Sequence, residues 1–190
     1  MTLTVLEPPV SPAVFAAEAR SFLRLGGAGE DTFIESLIIA AQARLESALS
    51  MVLLRQKLHK HLGYSDRTRL VSGASLSVRP VTAIHAVHLQ TDDGQDDEVT
   101  GLFELGAQGS VRLKDGENSR TFPYHGHLDV TFTAGFGPDP ADVPADLKLA
   151  INRLVADSYF ARNDTVPSAA ETGFPTDVAH IVATYRAIRL

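Results

Sequence analysis

The hydrophobic period of this chain changes twice, and those changes constrain the fold more than any single motif does. From Thr32 onward, Ile34, Leu37, Ile38, Ala41, Leu45 and Leu49 recur at spacings of three and four, the apolar stripe of a helix of about five turns that buries one side. From about Leu53 the period drops to two, with Leu54, Gln56, Leu58, Lys60 and Leu62 alternating with Arg55, Lys57, His59 and His61, which reads as a strand with one face inward. Continuation of the preceding helix stays open as the alternative, because short helix and strand patterns overlap. Helical spacing returns after Pro144, where Leu147, Ala150, Ile151, Leu154, Val155 and Tyr159 share one face to about Arg162 and Asp142 and Asp146 sit near the positive end of the dipole.

Turn and cap signals divide the rest. Ser11-Pro12 is a hydroxyl cap followed by proline at a first helical position, Phe15, Ala19, Phe22 and Leu23 then share a face, and Gly26-Gly27 ends that helix. Thr32 with Glu35 forms a capping box for the second helix. Further strands are expected at Arg69 to Val71, Ile84 to Leu89, Phe103 to Leu105, Val111 to Leu113 and Leu128 to Thr133, separated by Asp93-Gly94, Gly109 and Asp115-Gly116. Asn163 to Pro175 is a loop too long for a routine helix connection and a candidate mobile or partner-ordered segment. A last helix from Thr176 carries Val178, Ile181, Val182, Tyr185 and Ile188 on one stripe and ends at Leu190. The expected fold is α+β: residues 1–52 and 136–190 form a helical bundle with a C-terminal helix, and residues 53–135 an inserted small antiparallel β-domain.

Of the 190 residues 44% are hydrophobic and 21% charged, which allows a sizeable core. The absence of cysteine removes disulfides and thiolate chemistry and fits a reducing compartment. The first ten residues lack the basic and apolar regions of a targeting segment, and nothing approaches the roughly 18 uninterrupted apolar residues of a membrane span; a soluble chain is expected. The net charge of −6, with scattered basic residues, argues against tight nucleic-acid binding but suits a surface that nucleic acid slides past.

The seven histidines invite a metal reading. His59 and His61 share one strand face, as do His125 and His127, and two such pairs converging on zinc or iron would be the sharpest enzyme hypothesis. Against it, His85 and His88 are offset by three and would face opposite ways, and the nearest acids show no ligand-like spacing; solvated strand faces are the simpler account, and no metal or cofactor is assigned. Ser72, Ser75 and Ser77 lie near glycine without a nucleophile elbow. Gly26-Gly27-Ala28-Gly29 follows a helix and lacks the Lys-Ser/Thr of a phosphate loop. Asp92, Asp93, Asp96, Asp97 and Glu98 depart from calcium-loop spacing and read as a solvated hairpin tip. The C-terminal stripe either packs on its own bundle or docks into a neighbour's groove.

Four blocks taken in order carry a resemblance: Ala40-Ala41-Gln42-Ala43-Arg44-Leu45-Glu46, Arg55-Gln56, Thr133-Ala134-Gly135-Phe136-Gly137, and Val143-Pro144-Ala145-Asp146-Leu147-Lys148-Leu149-Ala150-Ile151 with a helix ending at Tyr159 to Arg162. Over roughly residues 11–162 the chain resembles the head-to-tail connector (adaptor, head-completion) proteins of tailed phages, also found in prophages and gene transfer agents. The resemblance implies a structural virion protein rather than an enzyme, assembled in the bacterial cytoplasm into a dodecameric ring under the portal. That ring would extend the DNA channel without sequence-specific binding and give the stopper or tail its attachment site; a tail-side stopper or tail-completion protein is the alternative. It further implies portal docking by the C-terminal segment, with Val178, Ile181, Val182, Tyr185 and Ile188 as apolar anchors beside Arg186 and Arg189. Gly135 and Gly137 are expected to supply backbone angles closed to other residues, and Pro144 to preorganise the first turn of the next helix.

Overall fold

The structure, a computed structural model, describes residues 3–63, 69–117, 126–162 and 173–186. The chain divides into two compact units, one of residues 1–9 and 50–138, the other of residues 10–49 and 139–190. The fold is α+β, with antiparallel sheets in the first unit and helices in the second.

In the β unit, a five-stranded sheet runs in the order β1 (Leu3–Glu7), β2 (Gln56–Leu62), β8 (His127–Ala134), β4 (Val81–Gln90), β5 (Asp96–Glu98). A three-stranded sheet of β3 (Ala74–Ser75), β7 (Ser110–Leu113) and β6 (Phe103–Gly106) contributes to the same core. The period-two pattern of β2 sorts its side chains as alternation requires: Leu58, Lys60 and Leu62 are buried, while His59 and His61 point the other way. Leu58, Leu128, Val130, Phe132, Val87 and Leu89 meet Phe103, Val111 and Leu113 in one core cluster, where each large side chain contributes about 1.5–3 kcal/mol by leaving water. Lys60, only 2% exposed, is the polar member of that face. Its Nζ donates to the Ser75 carbonyl at 2.7 Å and to Ser77 Oγ at 2.5 Å, so it ties β2 to the segment around β3.

Three expectations shift here. Residues 3–7, grouped above with the helical bundle, pair with β2 as an edge strand; their Leu-Thr-Val-Leu alternation is too short to stand out as a period. Arg69 to Val71 is a turn, because Leu70 reaches the core as a single buried residue and its carbonyl accepts from Leu113 N–H. The acidic run is not only a hairpin tip: residues 91–95 make the turn, and Asp96–Glu98 pair with β4 as the far edge strand.

In the helical unit, α1 (Ala16–Leu23), α2 (Asp31–Leu49), α3 (Ala145–Ala161) and α4 (Thr176–Tyr185) pack through the expected stripes. Ile34, Ile38, Ala41, Leu45 and Leu49 of α2 are buried, as are Leu147, Ala150, Ile151, Leu154, Val155 and Tyr159 of α3. α1 begins four residues later than Ser11-Pro12 implied, because Ala13 and Val14 are buried as irregular chain and Ala13 N–H donates to Gln42 Oε1. It ends at Arg24, which takes the left-handed conformation, before the glycine pair is reached. The α2 capping box is displaced too, since Ile34 N–H bonds the Glu30 carbonyl and Asp31 is already helical. Asp31 instead accepts both short contacts, 2.6 Å each, from Arg20 Nη1 and so fixes α1 to the start of α2. Among the described residues no helix is long and apolar enough to cross a membrane.

Candidate functional site

The outward face of the five-stranded sheet gathers five of the histidines. Antiparallel register sets His61 directly opposite Asp129 and His59 opposite Thr131, and His127 lies two residues before Asp129 on the same face. Asp129 stands at the centre: its Oδ1 is 3.2 Å from His61 Nδ1 and 3.3 Å from His59 Nε2, and its Oδ2 is 3.5 Å from His127 Nε2. The His61 and His127 rings lie 4.1 Å apart. Across the sheet, His88 opposes Asp129 and its Nδ1 is 3.0 Å from Asp96 Oδ1, while His85 Nε2 meets Thr133 Oγ1 at 2.6 Å. His85 and His88 therefore share a face, contrary to the three-residue offset, because a register shift between Ile84 and Ala86 inserts one residue into β4. Sequence reading missed Asp129 as the hub; the signal was its place two residues after His127 in a strand of period two. His125 lies outside the described residues.

The serines bring no nucleophile. Ser72 Oγ donates to the Arg69 carbonyl, Ser75 Oγ accepts from Ser77 N–H, and Ser77 Oγ accepts from Lys60. Ser72 and Ser75 line an open cleft of about 600 Å³ with Leu105, Gln108, Ser110 and Arg112, a lining that contains no histidine or carboxylate to serve as base.

The Thr-Ala-Gly-Phe-Gly motif has a structural reading. Gly135 has φ +120°, and a Cβ there would sit 2.5 Å from the Leu54 carbonyl carbon and oxygen. Phe136 N–H donates to the Leu53 carbonyl at 3.1 Å, and Arg55 N–H to the Gly137 carbonyl at 2.8 Å. Of the two expected positions, positive φ belongs to Gly135; Gly137 contributes through its carbonyl. Pro144 is the N-cap of α3 rather than its first helical residue, and its carbonyl accepts from Leu147 and Lys148 N–H.

On the helical unit, the C-terminal stripe packs on its own chain. Val178 and Val182 are buried, α4 lies against α3 and α2, Arg153 pairs with Asp177, and Tyr185 Oη donates to Asp146 Oδ1 at 2.8 Å. Burial, followed by that hydrogen bond and the carboxylate's charge, pushes the Tyr185 hydroxyl up to about 12. Ile181 is half-buried and Arg186 exposed; Ile188 and Arg189 lie outside the described residues, as does 163–172 of the long loop. A second polar knot joins α3 to the start of α2. Tyr159 Oη donates to the Glu30 carboxylate, which lowers the Glu30 pKa and raises that of Tyr159, and Arg162 lies 3.4 Å from the same carboxylate and stacks over the Phe33 and Tyr159 rings. Phe15, Phe22, Ile39, Leu149 and Phe160 remain substantially exposed.

Among the described residues the serines are not placed beside a histidine or carboxylate base. Among proteins of curated function none matches the sequence. A solved structure described as "Neck of empty GTA particle computed with C6 symmetry" is similar over 100% of this chain and 97% of its own, at 26% identity and a TM-score of 0.79. Two more, "Virion of native gene transfer agent (GTA) particle" and "Neck of native GTA particle computed with C12 symmetry", are similar over the same shares at 25% identity and a TM-score of 0.78. The family model for "Head completion protein" matches residues 15–188, nearly the whole chain, and with these likenesses it makes the chain a member of the head completion protein family, a structural head-to-tail connector protein and not an enzyme.

Proposed function

We propose that this chain is the adaptor of a phage-like particle, whether phage, prophage or gene transfer agent, and that copies of it close into a dodecameric ring beneath the portal. The ring extends the DNA channel and presents the attachment site for the stopper or tail. The observation that carries the reading is the likeness over essentially the full length to chains of a particle neck, one of them computed with C12 symmetry. A ring multiplies a modest subunit contact into avidity, so a small contact per subunit suffices. The mildly acidic balance lets DNA pass without being held.

Portal docking falls to the C-terminal segment, with a division of labour among the residues named from the sequence. Val178, Val182 and Tyr185 fasten α4 to its own unit, and Ile181, Arg186, Ile188 and Arg189 supply the contact. A pull-down on assembled portal from the same gene neighbourhood tests this with the intact chain, a chain truncated after Phe174, and an Ile181→Asp/Arg186→Glu variant that keeps the buried valines. Capture of the intact chain, with loss in both altered forms, supports the adaptor role. A folded intact chain that ignores portal and captures the tail-side component instead overturns it in favour of the stopper.

A further inference from the structure

We propose that His61, His127 and Asp129 form a binding site for a borderline divalent transition-metal ion, with zinc as the reference case. The proposal goes beyond the connector reading and is independent of it. The ligand atoms these three residues offer all lie within 4.8 Å of one another. An ion held tetrahedrally at roughly 2.0–2.2 Å by imidazole and carboxylate separates its donors by roughly 3.3–3.5 Å. The His61 Nδ1 to Asp129 Oδ1 distance is 3.2 Å and the His127 Nε2 to Asp129 Oδ2 distance 3.5 Å, on different carboxylate oxygens, so a small side-chain adjustment within the 4.8 Å bound brings one donor from each residue onto an ion.

The scaffold is rigid where it matters. β2 and β8 are hydrogen-bonded neighbours inside the five-stranded sheet, and their register fixes His61 across from Asp129. Asp129 has only 18% of its side chain exposed, against 31% for His127 and 45% for His61, which leaves the metal approach open from the solvent side. His59 Nε2, 3.3 Å from Asp129 Oδ1, orients the carboxylate from the other flank as a positioning residue. His127 Nε2 also lies 3.0 Å from Gln90 Oε1, a neutral contact that ligation replaces.

Two imidazoles with one carboxylate favour zinc, nickel, cobalt or copper over calcium and magnesium, which want oxygen donors throughout. Three protein donors leave one position for water. The ion would clamp β2 to β8.

The test uses the full chain, freed of any affinity tag, titrated with zinc alone and then with cobalt. One zinc per chain is expected at micromolar metal, with the visible absorption of tetrahedral cobalt and a rise in Tm, because the site exists only in the folded state. His61→Ala and His127→Ala should each weaken binding by about 100-fold or more, and His59→Ala by about 10-fold. His85→Ala, on the same face but bonded to Thr133, should leave binding unchanged. All four histidines are at least partly exposed, so the metal-free Tm of each variant should match the parent. Absence of stoichiometric uptake, retention of binding in a His61→Ala/His127→Ala double variant, or equal loss in His85→Ala would each overturn the site.

Discussion

In the β unit Phe103 and Phe132 are buried in the core cluster, whereas in the helical unit Phe15 is 50%, Phe160 57% and Ile39 67% exposed. The two units are built on different periodicities, and the contrast follows from that. Strand alternation sorts side chains by parity, so β2 and β8 within the five-stranded sheet turn one face inward and give much of the other to histidine, aspartate and threonine. A helix of 3.6 residues per turn has a stripe and flanks, and bulky residues on the flanks reach solvent unless a partner covers them. Both units expose apolar side chains, Leu3, Val5, Leu6, Val71 and Leu105 in the β unit, but the helical unit adds the aromatic rings of Phe15, Phe22 and Phe160, which are available to a neighbour. In the adaptor reading, that neighbour is the next subunit of the ring or the portal.

The buried core of the β unit should make a tight backbone position at its closing junction one of its sensitive points. Gly135→Ala demands a side chain at φ +120° and places Cβ 2.5 Å from the Leu54 backbone. Neither backbone can yield without breaking the Phe136 to Leu53 and Gly135 to Pro80 hydrogen bonds. We expect a loss of about 4 kcal/mol or more, or no folded protein, read as the urea midpoint. A change under about 1 kcal/mol would mean that the junction is more pliant than the core it closes.

Lys60→Ala comes next. It removes a buried stem and the two hydrogen bonds to the Ser75 carbonyl and Ser77 Oγ, for an expected cost of about 2–4 kcal/mol in the same measurement. Lys60→Met restores the stem but not the two hydrogen bonds, so its cost should fall between that and zero.

On the helical unit the expectation inverts. Phe22→Ser and Ile39→Ser touch exposed side chains and should each shift stability by no more than about 0.5 kcal/mol. The same changes should raise the concentration needed for ring assembly on portal by about tenfold per residue, the effect of losing one well-packed apolar contact. Unimpaired assembly by both variants would break the comparison between the units and move the subunit contact to the sheet edges.

Much of this division is legible in the sequence. The period changes near Leu53 and Pro144 locate both kinds of structure, and Ile34, Ile38, Leu45, Leu147 and Ile151 are core where the stripes put them. What escapes is decided by contacts distant in sequence. Ala13 and Val14 are buried outside the helix, with the Ala13 N–H given to Gln42 far along the chain, and Leu70 enters the core without a strand around it. The histidine face was half legible. Alternation pairs His59 with His61, but the inserted residue in β4 that turns His85 toward His88's side is a register event invisible to local pattern, and the convergence on Asp129 needs the β2–β8 pairing.

The smallest expected effect tests the claim that α4 is fastened to its own unit. The Tyr185 hydroxyl is pushed up to about 12 by burial and by its bond to Asp146, above the ordinary tyrosine value of about 10. A raised acid pKa in the folded state means that folding favours the protonated phenol. The contribution is therefore complete below about pH 10 and is lost as pH climbs toward about 12, where the folded protein must also release the proton. Tyr185→Phe removes the titration and the hydrogen bond together. Between pH 7 and 9 the variant should be modestly less stable than the parent, and between pH 10 and 12 its stability should fall less steeply, so that the two curves converge. Parallel curves across that range would show that Tyr185 ionises as freely in the folded chain as in the unfolded one, and that its hydroxyl adds nothing to the hold of Val178, Val182 and the Arg153–Asp177 pair on α4.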